Sequence, residues 1–290
     1  LRKLRIKKGT MRLIDRAESD AIYKTMGPTT QMSGGAAANT IFGLGALGAS
    51  TGFIGKIGND EFGRVFTHDL HSRGTAFNPT PPKADDLTGR CLVFVTPDSE
   101  RSMNTCLGAA AELGPEDVDT DLIRRGRILY LEGFLFDQDR NKRAFDHAAR
   151  TARESGRKIA LSLSDIFCVE RHHADFLEFI MAHVDILFGN EWEICCLMDR
   201  QDPYEALEMA RGHADIVVMT RSEKGVVIQS GRERIEVEAA PVENLVDTTG
   251  AGDLFASGFL YGLIREENLR VCGELANACA ASVLSHMGPR

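Results

Sequence analysis

Asp247-Thr248-Thr249-Gly250-Ala251-Gly252-Asp253 sets carboxylates at both ends of a turn of small residues, and the apolar run Leu254-Phe255-Ala256-Ser257-Gly258-Phe259 follows it. A turn of this kind opening a helix leaves the first helical N–H groups facing outward, toward any bound anion. Its glycines let a phosphate oxygen come close to the backbone of Gly250, Ala251 and Gly252. Asp253 would stand beside that anion, where a carboxylate can orient and deprotonate an attacking hydroxyl. The plainer alternative is an Asp that only caps a helix. A lone Asp would favour the cap; Gly-Ala-Gly between two carboxylates favours chemistry. A helix N-terminus lowers a carboxylate pKa, so Asp253 is expected to be a weak base, tolerable if proton transfer comes late in a loose transition state.

Ser33-Gly34-Gly35-Ala36-Ala37-Ala38-Asn39 is a second candidate. A glycine pair before a helix lets backbone meet a ligand, and Asn39 can both donate to and accept from vicinal hydroxyls. An ordinary turn and helix start explains the run equally well. Asn190-Glu191-Trp192-Glu193 and Thr220-Arg221-Ser222-Glu223-Lys224-Gly225 each follow an apolar strand pattern, and ligands of open α/β sheets gather at the carboxyl ends of strands. Glu193 could hold a magnesium-bound water or be a solvated helix carboxylate; the second run could be only a polar hairpin turn.

Other patterns carry less. Gly43-Leu44-Gly45-Ala46-Leu47-Gly48 is a literal G-x-G-x-x-G, but it follows a helical stretch and precedes a strand. A dinucleotide site needs the reverse order, so these glycines read as close helix packing and a helix stop. That leaves an NAD-dependent oxidoreductase the weakest reading. Gly55-Lys56 has Ser at position 50 and Ile at 57, which excludes a P-loop. The histidines show neither H-E-x-x-H spacing nor a Cys/His cluster, so zinc is not expected. His172-His173 read as surface, and Cys195-Cys196 as core or partly exposed thiols. No G-x-S-x-G elbow is present, which argues against an α/β-hydrolase.

The elements that must position these groups alternate. Strand patterns lie at 51–57, 90–96, 128–131, 158–163, 185–188, 216–220 and 225–229, with helical patterns at 60–73, 140–155, 169–183, 191–198, 203–213, 252–266 and 269–286. Strand, helix, strand at this spacing predicts a largely parallel sheet with helices on both faces. Segments 90–96 and 102–107 read as a hairpin around Pro97-Asp98-Ser99-Glu100, with 29–32 as a further short strand. Together they predict a small second sheet, placed as a lid.

The chain has 290 residues, with 34 Lys+Arg against 42 Asp+Glu and a net charge of −8. That balance disfavours a nucleic-acid or anionic-membrane binder. No apolar run approaches the ~18–20 residues of a membrane helix. Seven cysteines without a CxxC pair fit free thiols in a reducing cytoplasm. The chain opens at Leu rather than Met, and some N-terminal sequence is expected to be missing.

Taken together, the two glycine motifs resemble the PfkB carbohydrate kinase (ribokinase-like) family. Its first signature is similar to Gly34-Gly35-Ala36-Ala37-Ala38-Asn39 through Gly55-Lys56-Ile57-Gly58-Asn59-Asp60-Glu61-Phe62-Gly63, its second to Asp247-Thr248-Thr249-Gly250-Ala251-Gly252-Asp253. Arg101-Ser102-Met103 with Leu107-Gly108-Ala109 resembles the adenosine kinase branch. The resemblance covers essentially the whole chain. It implies one ribokinase-like three-layer α/β sandwich over 1–290, with lid pieces at about 1–33 and 88–108. It also implies ATP- and Mg²⁺-dependent transfer of a γ-phosphoryl group to a hydroxymethyl group of a nucleoside or sugar. Asp253 would be the base, with the amides of Gly250, Ala251 and Gly252 as anion hole. Gly34, Gly35, Asn39, Arg101 and Glu132 would meet the acceptor or its phosphate. Asn190, Thr220, Ser222, Gly225, Gly252 and Asn277 would hold ATP, and Glu193 magnesium through water. Asp247 and Thr249 match positions that bind a monovalent cation, such as K⁺, in some members. A homodimer through the lid is expected. The family's opening strand, ending in an acceptor-binding Asp, has no counterpart here and is expected in the missing N-terminal sequence. An adenosine-like acceptor is preferred; ribose, fructose or a keto-deoxy sugar acid comes next. A metabolite sensor that has lost catalysis is the rival of another class, disfavoured by the intact Asp253.

Overall fold

The structure is a computed structural model that describes residues 4, 6–8, 10–96 and 101–290. The first half runs Met11–Leu13 (β1), Arg16–Thr25 (α1), Ala36–Ala46 (α2), Gly52–Phe53 (β2), Glu61–Ser72 (α3), Ala76–Phe77 (β3), Arg90–Val95 (β4), Arg101–Cys106 (β5), Thr120–Arg125 (α4) and Ile128–Glu132 (β6). Next come Asp139–Glu154 (α5), Lys158–Ser162 (β7), Ile166–Arg171 (α6), His173–His183 (α7), Ile186–Asn190 (β8), Glu191–Met198 (α8) and Pro203–Ala210 (α9). Ile216–Thr220 (β9), Val226–Ser230 (β10), Glu233–Val237 (β11), Ala251–Ile264 (α10) and Leu269–Leu284 (α11) complete it.

The main sheet has the order β11-β10-β9-β8-β7-β6. It is parallel from β6 to β9 and antiparallel across the last two pairings. The two-residue period of the strands sorts apolar side chains into two cores. Ile159, Leu161, Leu187, Val217 and Met219 point to the core built with α5 to α9. Ala160, Ile186, Phe188, Val218 and Ile228 point to the other, closed by Leu44 of α2, Phe255 and Phe259 of α10, and Cys272 and Ala276 of α11. Burial on both faces explains why these strands read as continuous apolar runs. The result is a three-layer ribokinase-like sandwich.

A second sheet, β1-β5-β4, stands apart. Its Leu92, with Phe94 and Cys106, packs on Ile14 and on Ile22 of α1. β4 and β5 pair antiparallel with Val95 opposite Arg101, as a hairpin requires; the turn at 97–100 lies outside the described residues. Segment 29–32, expected as a strand here, has no regular structure. The third strand is Met11–Leu13, parallel to β5.

Three further expectations are corrected. The strand expected at 51–57 shrinks to Gly52–Phe53, paired only with β3, because residues 54–60 run on without a neighbouring strand. The helix expected at 169–183 breaks at His172, whose backbone leaves helical geometry at φ −121°. Its imidazole Nε2 lies 2.9 Å from Asp137 Oδ1, and that of His173 lies 2.9 Å from the Leu197 carbonyl. Both side chains are therefore half-buried braces and not free surface. α1, α4, β3 and β11 were not anticipated. They are short or polar, and period alone does not reveal them.

Candidate active site

Four strand ends line up across the sheet. Glu132 sits opposite Ser162 and Asn190 opposite Thr220 in the register of β6 to β9, at the carboxyl edge where parallel sheets bind ligands. The N-termini of α2 and α10 come to the same edge. Most helices here start on a side chain: Asp15, Asp60, Asp119, Asp165, Asn190, Asp202 and Asn268 each accept an N–H of the helix they open. α2 and α10 start on Gly35 and Gly250 with no side-chain cap. At α2 the deficit is met from outside, since Ala37 N donates to Glu132 Oε2 at 2.5 Å. At α10 the amides of Gly252 and Asp253 keep no intrahelical partner and open on the cleft. A cleft of about 1960 Å³ runs between this edge and the small sheet.

Gly250 adopts φ +79°, and a Cβ there would collide with the carbonyl of Pro289. Gly252 has open space where a Cβ would stand. Gly250 therefore shapes the turn, while Gly252 leaves room in front of it.

Asp253 lies half-buried at the cleft floor, accepting from Asn39 Nδ2 at 2.8 Å. Burial pushes its carboxyl up to about 7, the nearby charge of Glu132 adds to the rise, and Asn39, Arg101 and Arg290 oppose it. The weak base expected from the helix N-terminus is corrected: desolvation outweighs the dipole, and a carboxyl near 7 suits a general base. Glu132 is raised as well, again by burial. Arg101, at the start of β5, lines the cleft and acts electrostatically on both Asp247 and Asp253.

Asn39 is only 4% exposed. Its amide lies between Asp253 and Arg290, whose Nε donates to Asn39 Oδ1 at 3.0 Å. Both ends of the amide, expected to meet acceptor hydroxyls, are thus engaged within the protein. Gly34 and Gly35 line the cleft wall above it.

Glu193 is buried, not solvated. It forms a reciprocal capping box with Asn190, taking the Asn190 N–H at 3.0 Å and its Nδ2 at 2.8 Å, and burial lifts its carboxyl to about 7. Both residues and Thr220 line the cleft. One donor on each oxygen leaves lone pairs for water, which fits magnesium, an ion that keeps several of its own waters. Among the described residues no group of three or more His, Cys, Asp or Glu could hold a metal ion on protein ligands alone.

Three expected nucleotide contacts stand outside the cleft lining. Ser222 occupies the β9–β10 turn at φ +51°. Gly225, at φ +84°, sits where any Cβ would strike the Val237 carbonyl, and Asn277 Nδ2 donates to the Glu238 carbonyl at 2.8 Å. The last two brace the chain leaving β11. Asp247, 4% exposed, accepts from Thr249 N at 2.9 Å, Thr249 Oγ1 at 2.6 Å and Gly288 N at 3.0 Å.

Two participants escaped the sequence. Tyr130 lies two residues before Glu132 on the same strand face and lines the cleft, where burial and the nearby charge of Asp253 push its hydroxyl pKa up; that two-residue spacing was the available signal. Arg290 had none. Lys56, where a P-loop was excluded, makes an ion pair with Asp117 at 3.0 Å.

A model of the pfkB family of carbohydrate kinases matches residues 10–290. The chain belongs to that family. As a pfkB kinase it is an ATP-dependent phosphotransferase with an alcohol group as acceptor. It is 43% identical to a structure described as a probable sugar kinase from Rhizobium etli, at a TM-score of 0.96, covering 100% of this chain and 88% of that one. It is equally 43% identical, again at 0.96, to adenosine kinase from Sinorhizobium meliloti, covering 100% of this chain and 89% of that one. A ribokinase II from E. coli, described in complex with ATP and Mg²⁺, shares the fold at a TM-score of 0.81 and 22% identity, over 98% of this chain and 92% of that one.

Proposed function

We propose that this pfkB kinase phosphorylates a hydroxymethyl group of a nucleoside, with Asp253 as its base. The observation that carries the reading is Asp253 itself: a carboxyl near 7 at the open N-terminus of α10, oriented by Asn39 and reached by Arg101. The acceptor hydroxyl gives its proton to Asp253 as its oxygen bonds the γ-phosphorus. The bond from that phosphorus to the β,γ-bridging oxygen breaks, and ADP leaves. The amides of Gly252 and Asp253, the α10 N-terminus and Arg101 oppose the charge on the transferring group. Gly34, Gly35 and Glu132 bound the acceptor pocket; Asn190 and Thr220 bound the nucleotide end. Glu193 would hold magnesium through water, and the ion would supply charge neutralisation on the phosphates.

An adenosine-like acceptor is supported by the apolar cleft wall of Met103 and Phe134, which suits a flat base, and by the likeness to the Sinorhizobium meliloti enzyme. Phe136, two residues beyond Phe134, does not reach that wall: it is 2% exposed and stacked on Phe176 at 4.1 Å in the core. A sugar acceptor is the second reading, favoured by the Rhizobium etli likeness. Action in the cytoplasm is supported by seven free cysteines, and a dimer through the small sheet by exposed Leu13 and Val95. The lid role of that sheet and a K⁺ dependence through Asp247 and Thr249 belong to the same proposal; rates in K⁺ against Na⁺ test the latter.

The test is ATP consumption coupled to a panel of nucleosides and sugars. Adenosine is expected to be phosphorylated and 2′-deoxyadenosine to be far poorer, because polar groups built for a hydroxyl are left unpaired without it. A higher kcat/KM for ribose or fructose replaces the nucleoside reading with the sugar one. Chelation of magnesium is expected to stop the reaction.

A further inference from the structure

Residues 287–290 pass between the anion turn and the segment ahead of α2, and glycine at two positions permits it. Gly288, at φ +101°, donates its N–H to Asp247 Oδ2 at 3.0 Å, and a Cβ there would collide with the Met32 sulfur. Gly250, at φ +79°, is pressed against the Pro289 carbonyl. Held on both sides, the segment delivers the Arg290 guanidinium over the Phe42 ring at 4.8 Å. From there its Nε donates to Asn39 Oδ1 at 3.0 Å and its Nη2 to the Gly34 carbonyl at 3.4 Å. Asn39 in turn donates from Nδ2 to Asp253 Oδ2 at 2.8 Å. A guanidinium only donates and a carboxylate only accepts, so a single orientation of the Asn39 amide satisfies both.

We propose that Arg290 is a positioning residue for phosphoryl transfer, holding the Asp253 carboxylate in one orientation through the Asn39 amide. This deepens the assignment of Asp253 as base and rests on it. Without the guanidinium the amide is free to turn, and the carboxylate loses its fixed aim at the acceptor hydroxyl.

Charged and titratable groups come from β5, β6 and α3, while α2 contributes only the neutral Asn39 amide. Asp253 is faced by Glu132 and Tyr130 from β6, Arg101 from β5, and Arg290; Arg290 is faced by Asp69 from α3 and by Asp253. Arg290 holds the Asp253 pKa down, so its removal shifts the titration upward.

The test compares kcat against pH for the wild type, Arg290→Gln and Arg290→Lys in the intact protein, at saturating ATP and acceptor. Arg290→Gln is expected to lose roughly ten- to a hundredfold in kcat, as for a misplaced catalytic group, with the ATP KM little changed. Its acid limb should move to higher pH. Arg290→Lys, which keeps the charge but not the fork, should return the acid limb to its wild-type position and restore part of kcat. In an Asp253→Asn background, adding Arg290→Gln should cost nothing further. An unchanged kcat in Arg290→Gln, an acid limb that moves equally in both variants, or an undiminished loss in the Asp253→Asn background overturns the proposal. If Arg290→Gln does not fold, Arg290→Lys decides: a lowered kcat with the acid limb in place supports the proposal, and a wild-type kcat overturns it. Wild-type turnover by Asp253→Asn alone is a different outcome, one that removes the base assignment whatever Arg290 does.

Discussion

As the proposed base, Asp253 would couple catalysis to instability. Its pKa rises from 3.8 in an unperturbed chain to about 7 in the fold. Between those values the folded protein keeps a proton that the unfolded chain releases, so stability falls as pH rises through the window. Asp253→Asn keeps the shape and removes both effects. It is expected to lower kcat by about 10²–10⁴-fold with ATP affinity little changed. It should also raise Tm at pH 8, by an amount that shrinks toward pH 4. A mutant within about threefold of wild-type turnover would end the base assignment, and an unchanged Tm at pH 8 would show that Asp253 is not strained by burial. In the wild type, kcat should fall as pH drops through about 7, where Asp253 becomes protonated.

The α10 turn separates two glycines by their work. Gly252 faces open cleft, so Gly252→Val should fold normally, with a Tm close to wild type, and lose nearly all turnover because the branched side chain occupies the phosphate position. Normal kinetics in that variant would show that these amides do not hold the phosphate. Gly250 has left-handed backbone and the Pro289 carbonyl against it. Gly250→Ala is therefore expected to cost stability, about 1–3 kcal/mol for the conformation plus the clash, read as a lowered Tm or denaturation midpoint. Lys56 is spent on Asp117 inside the protein, with side chains 9% and 2% exposed. Lys56→Ala should destabilise by about 3–5 kcal/mol, because it leaves that carboxylate buried and unpaired.

Across the molecule, apolar side chains divide between cores and cleft, and only the cleft ones should discriminate acceptors. Phe136 belongs to a cluster with Phe145, Phe176 and Phe179. Phe136→Ala should cost about 3–5 kcal/mol of stability and leave the ratio of adenosine to sugar kcat/KM unchanged. Phe134→Ala and Met103→Ala should instead raise the KM for a nucleoside while the ATP KM stays in place. They act from two different sheets, Met103 from the small one and Phe134 from beyond β6. A shift in acceptor preference for both would show that the site lies between the sheets.

Much of this was legible in local patterns. The apolar runs of β6 to β9 sit on both-face-buried strands and announced themselves, and the Gly-Ala-Gly turn with its two carboxylates announced the uncapped α10 N-terminus that opens on the cleft. Gly43 and Gly48 read correctly as packing and stop: a Cβ on Gly43 would strike Leu254 and Ser257 of α10, and Gly48 takes φ +88°. Such features depend on neighbours within a few residues, where period, chirality and capping decide. What tertiary structure alone decided depends on partners far apart in the chain. Whether Glu193 is solvated or buried, whether Asp253 titrates low or near 7, and whether Phe136 lines a pocket or fills a core are questions of desolvation. Desolvation is set by everything that packs around a group. The Arg290–Asn39–Asp253 line joins residues 251 and 214 positions apart. No local pattern encodes it, because only folding brings a guanidinium, an amide and a carboxylate within hydrogen-bond reach.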